Sequence, residues 1–202
     1  MVQGQTGIAT WRSMGDLRDT RRYIYRLDAT DRIVWVNDAW LAFARENDAA
    51  ALAAETVLYR PLWDFITNTE VQHLYGLIFD KVRSTGSVVT LPFRCDSPTR
   101  RRFMELVVGP EPQQTLNLAS RLLWEEPREP VALLEAARPH SERFLTICSW
   151  CKRVLLAHGQ WAEVEVAMRS LDTFQEPVLP RLTHGICPSC RTAQLALARA
   201  AS

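Results

Sequence analysis

The sequence predicts an α+β fold followed by a small cysteine-rich module, and three observations lead to this prediction. Stretches with the alternating pattern of β-strands lie on both sides of a longer stretch with helical spacing, an order typical of an antiparallel sheet with helices packed on it. Two C-x-x-C pairs, Cys148 with Cys151 and Cys187 with Cys190, stand near the end of the chain. The 202 residues, of which 47 % are apolar, suffice for one large or two small domains with a hydrophobic core.

The net charge and the hydropathy of the sequence argue against a membrane protein and against a nucleic-acid-binding protein. The formal net charge is +1, which predicts no strong attraction to nucleic acid or to a membrane surface. The sequence contains no apolar run of about 18 residues, and its start lacks the apolar segment of a signal peptide. We therefore expect a cytoplasmic protein that neither spans a membrane nor binds nucleic acid. Cysteines stay reduced in that compartment, which favours metal binding over disulfides.

Residues 1–21 are predicted to be a cap segment before the first strand. Ile8, Trp11, Met14 and Leu17 recur there every three residues, which indicates a short helix with one apolar stripe. Such a stripe needs a partner surface, so we expect it to contact either the rest of the chain or a second copy in a homodimer.

The first two strands form a predicted hairpin. Arg22–Leu27 and Arg32–Val36 alternate in polarity, and the polar residues Asp28–Asp31 form the turn between them. Strict alternation would place Ile33 and Trp35 together on one face of the second strand.

Helical stretches and a turn follow this hairpin. Asn37 or Asp38 can cap the first helix, and the longest helix carries one apolar stripe and ends at Gly86. The predicted bounds are a helix over 37–46, a short helix over 49–55, an apolar turn over 62–66 and a helix over 68–84.

Three further strands complete the predicted sheet, at residues 87–95, 101–108 and 116–124. Pro92 in the first of them cannot donate a hydrogen bond to a neighbouring strand. We therefore expect that strand to lie at an edge of the sheet or to contain a bulge.

The order of these elements resembles the PAS family, and three features carry the resemblance. They are the opening Y-I-Y-R-L-D with R-I-V-W-V-N-D-A-W, the L-W-D-F-I turn, and the long helix that leads into the last three strands. The resemblance covers residues 22–124. It implies a five-stranded antiparallel sheet with flanking helices, a role in ligand sensing or protein contact, and dimerisation through a flanking helix.

A linker and a second unit are predicted beyond the sheet. Residues 125–143 form the linker, in which E-E-P-R-E-P and R-P-H flank a short apolar stretch. Residues 144–202 contain both cysteine pairs and form the predicted metal-binding module.

The two cysteine pairs are typical of a structural zinc site. Two residues between thiolates let one tight turn present both sulfurs to the same ion, and two such turns complete a tetrahedron. Thirty-five residues separate Cys151 from Cys187, more than the roughly 15–20 that are usual, so a folded segment with a helix over Trp161–Leu171 is predicted between them. The predicted ligands of Zn²⁺ are Cys148, Cys151, Cys187 and Cys190.

Other interpretations of these cysteines stay open. They are two disulfides, a redox pair in a thiol–disulfide oxidoreductase, an iron–sulfur cluster, or free thiols. His184, three residues before Cys187, is an alternative ligand or a neighbour of the ligands. The nearby basic residues either offset the charge of the thiolates or are ordinary surface groups. These are Lys152, Arg153, Arg181 and Arg191.

The tail also resembles a small cysteine module that follows PAS or receiver domains in bacterial signalling proteins. Its form there is C-x-x-C-K, a Trp-led helix, and H-G-I-C-P-x-C; this chain has C-S-W-C-K, W-A-E-V-E and H-G-I-C-P-S-C. The combination implies a sensory or regulatory protein with a zinc-stapled α-helical or ribbon module. The alternative on the same residues is a redox- or metal-responsive switch in which thiol oxidation releases zinc.

The sequence contains no catalytic motif that we recognise. It has no G-x-S-x-G, no phosphate-binding glycine loop and no H-E-x-x-H, so we expect a non-enzymatic protein. His73 lies about 200° around the long helix from Val71, which turns it away from the core and argues against haem ligation. Cys95 lacks the N-C-R-F-L motif of flavin-binding relatives, so we expect a buried, inert thiol and neither flavin nor haem.

Two further groups of residues have a structural and a functional interpretation. Arg100, Arg101 and Arg102 are expected to be the solvated start of a strand rather than a phosphate site, because three consecutive strand residues cannot share a face. Four aromatic residues of the first half are expected to fill the core rather than line a ligand pocket. These are Trp35, Trp40, Trp63 and Phe65.

Overall fold

Two β-sheets with helices packed against them organise the chain in this computed structural model, which describes residues 21–47, 49–135, 138–170 and 178–200. The predicted apolar stripe of Ile8, Trp11, Met14 and Leu17 lies outside the described residues. We call the part from 21 to 127 the sheet unit, and the part from 128 to 200 the cysteine module.

The sheet unit contains the five-stranded antiparallel sheet that the sequence predicted. Its strands lie in the order β2-β1-β5-β4-β3, and every neighbouring pair is antiparallel. β3 is an edge strand, which explains how Pro92 is tolerated there. The strands are β1 (Arg22–Leu27), β2 (Ile33–Val36), β3 (Val89–Arg94), β4 (Arg100–Pro110) and β5 (Leu116–Pro127).

The helices of the sheet unit begin and end at residues that favour such ends. The Asn37 side chain accepts a hydrogen bond from the N–H of Trp40 at 2.9 Å, and that of Asn68 accepts one from Val71 at 3.0 Å. Gly86 ends the long helix in the left-handed conformation, with φ of 70°. The helices are α1 (Asp38–Glu46), α2 (Ala54–Val57), a 3₁₀ turn (Leu62–Phe65) and α3 (Thr69–Thr85).

One apolar core lies between the sheet and these helices, and we call it the sheet core. Strand residues from both halves of the sheet meet the inner face of α3, and Phe79 at its centre is fully buried. Its buried members are Leu27, Ile33, Val57, Leu62, Ile78, Phe79, Val82, Val89, Leu91, Leu106, Val108, Leu116 and Leu118.

Two predictions in this unit were wrong in detail. The short helix spans Ala54–Val57 rather than 49–55. Trp35 is not in the core but 41 % exposed, because a register shift in the pairing of β1 with β2 breaks the alternation and turns both Ile33 and Val36 inward. The other three aromatic residues pack against the core as expected: Trp40, Trp63 and Phe65.

The cysteine module is built on a four-stranded sheet in the order β8-β7-β6-β9. β6 and β9 run parallel, while β6, β7 and β8 form antiparallel neighbours. Its strands are β6 (His140–Cys148), β7 (Val154–Leu155), β8 (Trp161–Ala162) and β9 (Leu179–Gly185), and its helices are α4 (Val164–Ser170) and α5 (Pro188–Arg199).

The structure corrects two expectations for this part of the chain. Trp161 and Ala162 form a strand, so the helix begins at Val164, not at Trp161; Leu171 lies outside the described residues. The segment predicted as a linker is partly ordered into strands, because β5 continues to Pro127 and β6 begins at His140.

The module has a small core of its own and a second cluster that it shares with α3. The module core contains Val131, Leu133, Ile147, Val154, Val164, Ala167, Met168 and Leu179. The shared cluster, which we call the knuckle cluster, contains Val71, Leu74, Cys148, Trp150, Ile186 and Cys187. The two cysteine pairs are therefore part of the contact between module and sheet unit.

Candidate metal centre

Parallel pairing brings the two cysteine pairs together. Cys148 is the last residue of β6, and Cys187 follows the end of β9 by two residues. The carboxyl ends of parallel neighbours lie at the same edge of a sheet, and the register pairs Cys148 with Gly185. Residues 39 positions apart in the chain thus meet at one point.

The first pair sits on a tight turn held by backbone hydrogen bonds. The N–H of Cys148 donates to Arg153 at 2.7 Å, and that of Lys152 donates to Cys148 at 3.1 Å. Lys152 has φ of 61°, a left-handed conformation that closes the turn directly after Cys151. The N–H of Ser149 donates to the carbonyl of Gly185 at 2.9 Å and so fixes this turn to the end of β9.

The second pair forms the start of helix α5. Cys187 is its N-cap, and its sulfur accepts a hydrogen bond from the N–H of Cys190 at 3.4 Å. Pro188 occupies the first turn, where the missing N–H has no helical partner to lose. The N–H of Cys187 donates in turn to the sulfur of Cys148 at 3.4 Å. Backbone donors aimed at sulfur stabilise the thiolate form.

The four sulfur atoms lie close enough together to share one metal ion. All of them lie within 4.8 Å of one another, and the sulfurs of Cys151 and Cys187 are 3.7 Å apart. Ligands at about 2.3 Å around a tetrahedral Zn²⁺ lie about 3.8 Å from each other. All four cysteines are free thiols, two of them buried and two half-buried. The cluster could therefore hold a metal ion with a four-sulfur donor set.

The four thiols strongly influence one another's ionisation. Hydrogen bonds from neighbouring thiols, that of Cys151 first, lower the pKa of Cys148 far below its usual range. The same contacts raise the pKa of Cys151 and of Cys190 well above theirs. Without a cation, some of the thiols must stay protonated, because neighbouring thiolates repel one another. A divalent cation lets all four ionise and bind.

Gly185 is required for the approach of the two strands. A Cβ atom at this position would lie 2.8 Å from Cγ2 of Thr146 on β6. Such a contact is shorter than side chains tolerate, so a larger residue would force either the Thr146 side chain or the strand β9 to shift.

The other residues that the sequence placed near the site lie outside the group of ligand atoms. His184 is an exposed residue of β9, and the group contains four sulfurs and no imidazole nitrogen. Lys152 donates to the carbonyl of Ser149 at 3.1 Å. The three arginines pair with carboxylates instead of sulfur: Arg153 with Glu163, Arg181 with Glu142, and Arg191 with Glu70.

The residues of the sheet unit that the sequence offered as candidate ligand-binding sites are an exposed histidine, a half-buried cysteine and three ion-paired arginines. His73 is exposed on α3, as its place around the helix predicted. Cys95 is half-buried, and burial raises the pKa of its thiol. The three consecutive arginines are not simply solvated, because each forms an ion pair with a carboxylate: Arg100 and Arg102 with Glu125, and Arg101 with Glu126 and Glu165.

A buried ion-pair network between the two units was missed by sequence reasoning. The side chain of Asp96 is fully buried and pairs with Arg94 and, at 3.0 Å, with Arg128. Arg94 also pairs with Glu163 of the module at 2.7 Å, across 69 positions of sequence. No local pattern marks partners that are so far apart in the chain.

Trp150 was also missed as a contact residue. It lies between the first two cysteines and is 4 % exposed. Its carbonyl accepts a hydrogen bond from the N–H of Arg94 at 2.7 Å, and its ring stacks on Tyr75 with centroids 5.5 Å apart. A tryptophan inside a C-x-x-C turn is the one signal that could have indicated a buried contact there.

Part of the chain is similar to a number of solved structures, among them the two that follow. No family model and no curated protein matches the sequence. The chain is similar to a domain of an HTR-like protein from Haloarcula marismortui ATCC 43049, at 16 % identity and a TM-score of 0.34, over 51 % of this chain and 98 % of that one. It is also similar to a sensory box sensor histidine kinase from Vibrio cholerae, at 10 % identity and a TM-score of 0.37, over 51 % of this chain and 82 % of that one.

The sheet unit has a PAS-like fold, with a five-stranded antiparallel sheet in the order β2-β1-β5-β4-β3 and helices between β2 and β3. Among the described residues, no helix is long and apolar enough to cross a membrane.

Proposed function

We propose that the chain is a non-enzymatic sensory or regulatory protein of the cytoplasm. In this proposal the PAS-like sheet unit senses a ligand or contacts a signalling partner, and the cysteine module folds around Zn²⁺ and docks on it. The observation that carries the proposal is the convergence of four cysteine sulfurs within 4.8 Å at the contact between the two units.

A structural role for zinc follows from the size of the module. Two of its strands have only two residues each, and its own core is small. Binding of a structural zinc ion contributes folding free energy directly, about 10–16 kcal/mol in small zinc-binding peptides. Zn²⁺ has no redox chemistry and suits four thiolates, so the same site need not catalyse a reaction.

Elemental analysis of the purified protein, together with its absorption spectrum, tests this proposal. We expect one zinc per chain and no visible absorption bands. Cys187→Ser should lose the metal, while Cys95→Ser should keep it because Cys95 lies outside the group of four. Absence of zinc, or visible bands from iron–sulfur, haem or flavin, would contradict the proposal.

The same variant tests where the metal acts. In Cys187→Ser we expect the amide protons of residues 144–200 to exchange rapidly while those in the centres of β4 and β5 stay protected. Hydrogen exchange followed by mass spectrometry measures both regions in one experiment. Unchanged protection in the module would show that it folds without the metal.

Self-association through the segment before β1 is part of this proposal. The spacing of Ile8, Trp11, Met14 and Leu17 supports a helix that pairs with a second copy. Sedimentation velocity of the full chain and of a Trp11→Glu, Leu17→Glu variant distinguishes a dimer from a monomer. Equal sedimentation of both would argue against this interface.

A redox- or metal-responsive switch is the second candidate, favoured by the partial exposure of Cys151 and Cys190. Hydrogen peroxide would oxidise two thiolates to one disulfide and be reduced to two waters, taking up two protons, and zinc would be released. Thiol titration and zinc release under mild peroxide measure this reaction. An oxidoreductase would instead need a reactive Cys148, and we expect alkylating reagents to leave Cys148 of the zinc-loaded protein unmodified.

A further inference from the structure

Helix α3 contacts both the sheet core and the cysteine pairs. Its residues Ile78, Phe79 and Val82 are fully buried in the sheet core. Val71 and Leu74, nearer its start, are buried in the knuckle cluster. A change in the position of either cysteine pair would therefore act on a helix that also supports the sheet unit.

The first cysteine pair reaches α3 through Trp150. The Trp150 ring stacks on Tyr75 at an interplanar angle of 26°. The ring centroid of Tyr75 lies 5.7 Å from that of Phe79, which in turn lies 5.8 Å from that of Trp63. Four aromatic rings thus form a continuous row from the C-S-W-C turn into the sheet core.

The second pair reaches α3 through helix α5, whose N-cap is Cys187. Leu195 packs against the knuckle cluster, and Leu197 packs against the sheet core. The side chain of Lys81 on α3 donates to the carbonyl of Leu197 at 3.1 Å. The start of α5 is held by an ion pair between Arg191 and Glu70.

The metal would fix these two contacts relative to each other. Thirty-five residues of chain separate the pairs, and the segment 171–177 between them lies outside the described residues. Bound metal would join Trp150 and the start of α5 at one point, so that both press on α3 together. Without it, the pairing of β6 with β9 and the hydrogen bond from the N–H of Ser149 to the carbonyl of Gly185 would alone join the two contacts.

We propose that the four-cysteine centre is a regulatory site for the sheet unit, in which metal occupancy sets the packing of α3 through Trp150 and α5. This inference depends on the proposed metal site. It adds a direction of signalling, because the PAS-like unit then responds to a metal or thiol signal received at the cysteine module.

Hydrogen exchange of the full chain, zinc-loaded and after chelation, tests the coupling. We expect protection of residues 69–79 to fall by about fivefold or more, in the range typical of coupling between sites. Protection in the centres of β4 and β5 should stay within twofold. Unchanged protection of α3, or an equal loss across the whole sheet, would overturn the inference.

Zinc affinity gives the reciprocal measurement, because coupling between two sites acts equally in both directions. Tyr75→Leu removes the ring that stacks on Trp150 and should weaken zinc binding about fivefold in competition with a chelator. Tyr75→Phe keeps the ring and serves as the matched control. Leu118→Ala, in the sheet core but not in the knuckle cluster, tests whether general destabilisation has the same effect.

The outcomes separate this inference from the proposed function. If the wild-type chain binds one zinc and Tyr75→Leu binds it as tightly as Tyr75→Phe, the metal site stands and the regulatory role is wrong. An equal loss of affinity in Tyr75→Leu and Leu118→Ala would also overturn the regulatory role. If the wild-type chain binds no zinc, the proposed function itself fails.

Discussion

The sheet unit and the cysteine module differ in how large an apolar core stabilises each of them. In the described residues, the sheet core buries thirteen apolar residues contributed by all five strands and by the helices. The module core buries eight, and two of its four strands are only two residues long. Small units bury a smaller fraction of their surface, so contact with the sheet unit, and the proposed metal, would contribute a larger share of the module's stability.

The largest effect of a single substitution should come from the centre of the sheet core. Phe79→Ala removes a fully buried ring in contact with Trp63 and Tyr75, and we expect it to lower the free energy of unfolding by about 3–5 kcal/mol. Phe144→Ala, at a side chain that is 65 % exposed on β6, should change it by less than about 0.5 kcal/mol. Urea denaturation of the zinc-loaded protein measures both. Similar losses of unfolding free energy in the two variants would contradict the assignment of Phe79 to the core and Phe144 to the surface.

The buried ion pairs between the two units should have the next largest effect. Asp96→Asn removes the charge that faces two arginines, each with 5 % of its side chain exposed, and should cost about 3 kcal/mol. Asn still accepts hydrogen bonds, which holds the loss to the lower end of the range for buried pairs. Asp64→Asn is the matched control, because its pair with Arg60 is exposed and should contribute under about 1 kcal/mol.

Equal effects of these two aspartate substitutions in denaturation experiments would contradict the importance of the buried network. We also expect faster exchange in α4 for Asp96→Asn, since Glu163 before that helix pairs with Arg94.

A methyl group at the end of β9 should disturb the module more than the sheet unit. Gly185→Ala would bring a Cβ atom to 2.8 Å from Cγ2 of Thr146, and we expect a loss of about 1–3 kcal/mol and weaker zinc binding. Gly109→Ala on β4 is the control, because its Cβ would meet its nearest neighbour at an ordinary 3.8 Å. Thermal denaturation and chelator competition measure the two effects.

Thr146→Ser, which removes the clashing methyl group, should restore much of the loss when combined with Gly185→Ala. If the double variant behaves like the single one, the collision is not the cause.

The smallest expected effect on the free energy of unfolding comes from Asp28 in the first hairpin, and it depends on pH. Burial acts to raise the pKa of the Asp28 carboxyl, but hydrogen bonds from Arg32 and Thr30 outweigh it and lower the pKa. Its carboxylate accepts from the N–H of Thr30 at 2.8 Å and of Arg32 at 3.0 Å. The stabilisation is present above the unfolded-state pKa of about 4 and is lost as pH falls through the lowered folded-state pKa.

Asp28→Asn should therefore lower stability by only about 0.5 kcal/mol at pH 7, because solvent screens this exposed turn. The difference from wild type should shrink below about pH 4, as the wild-type carboxyl becomes protonated. Urea denaturation at several pH values measures it. A difference that stays constant with pH would show that the charge of Asp28 is not involved.

Local patterns predicted most elements of the sheet unit because their causes are local. Alternating polarity indicated β1 as it is observed, and the apolar stripe, Asn68 and Gly86 marked α3 to within a residue. Trp161 was misassigned for a different reason. The positive φ of His158 and Gly159 makes a tight turn before it, and pairing with Leu155 then makes it a strand.

What the sequence by itself determined is the set of elements of the sheet unit, their order and the four cysteines that could bind a metal. Only the tertiary structure decided that β6 and β9 run parallel, that Arg94 pairs with Glu163, and that Trp150 stacks on Tyr75. The physical reason is the range of the interactions. Caps, turns and periodicity depend on neighbours in the chain, whereas these contacts form between residues far apart, whose meeting depends on how the whole chain packs.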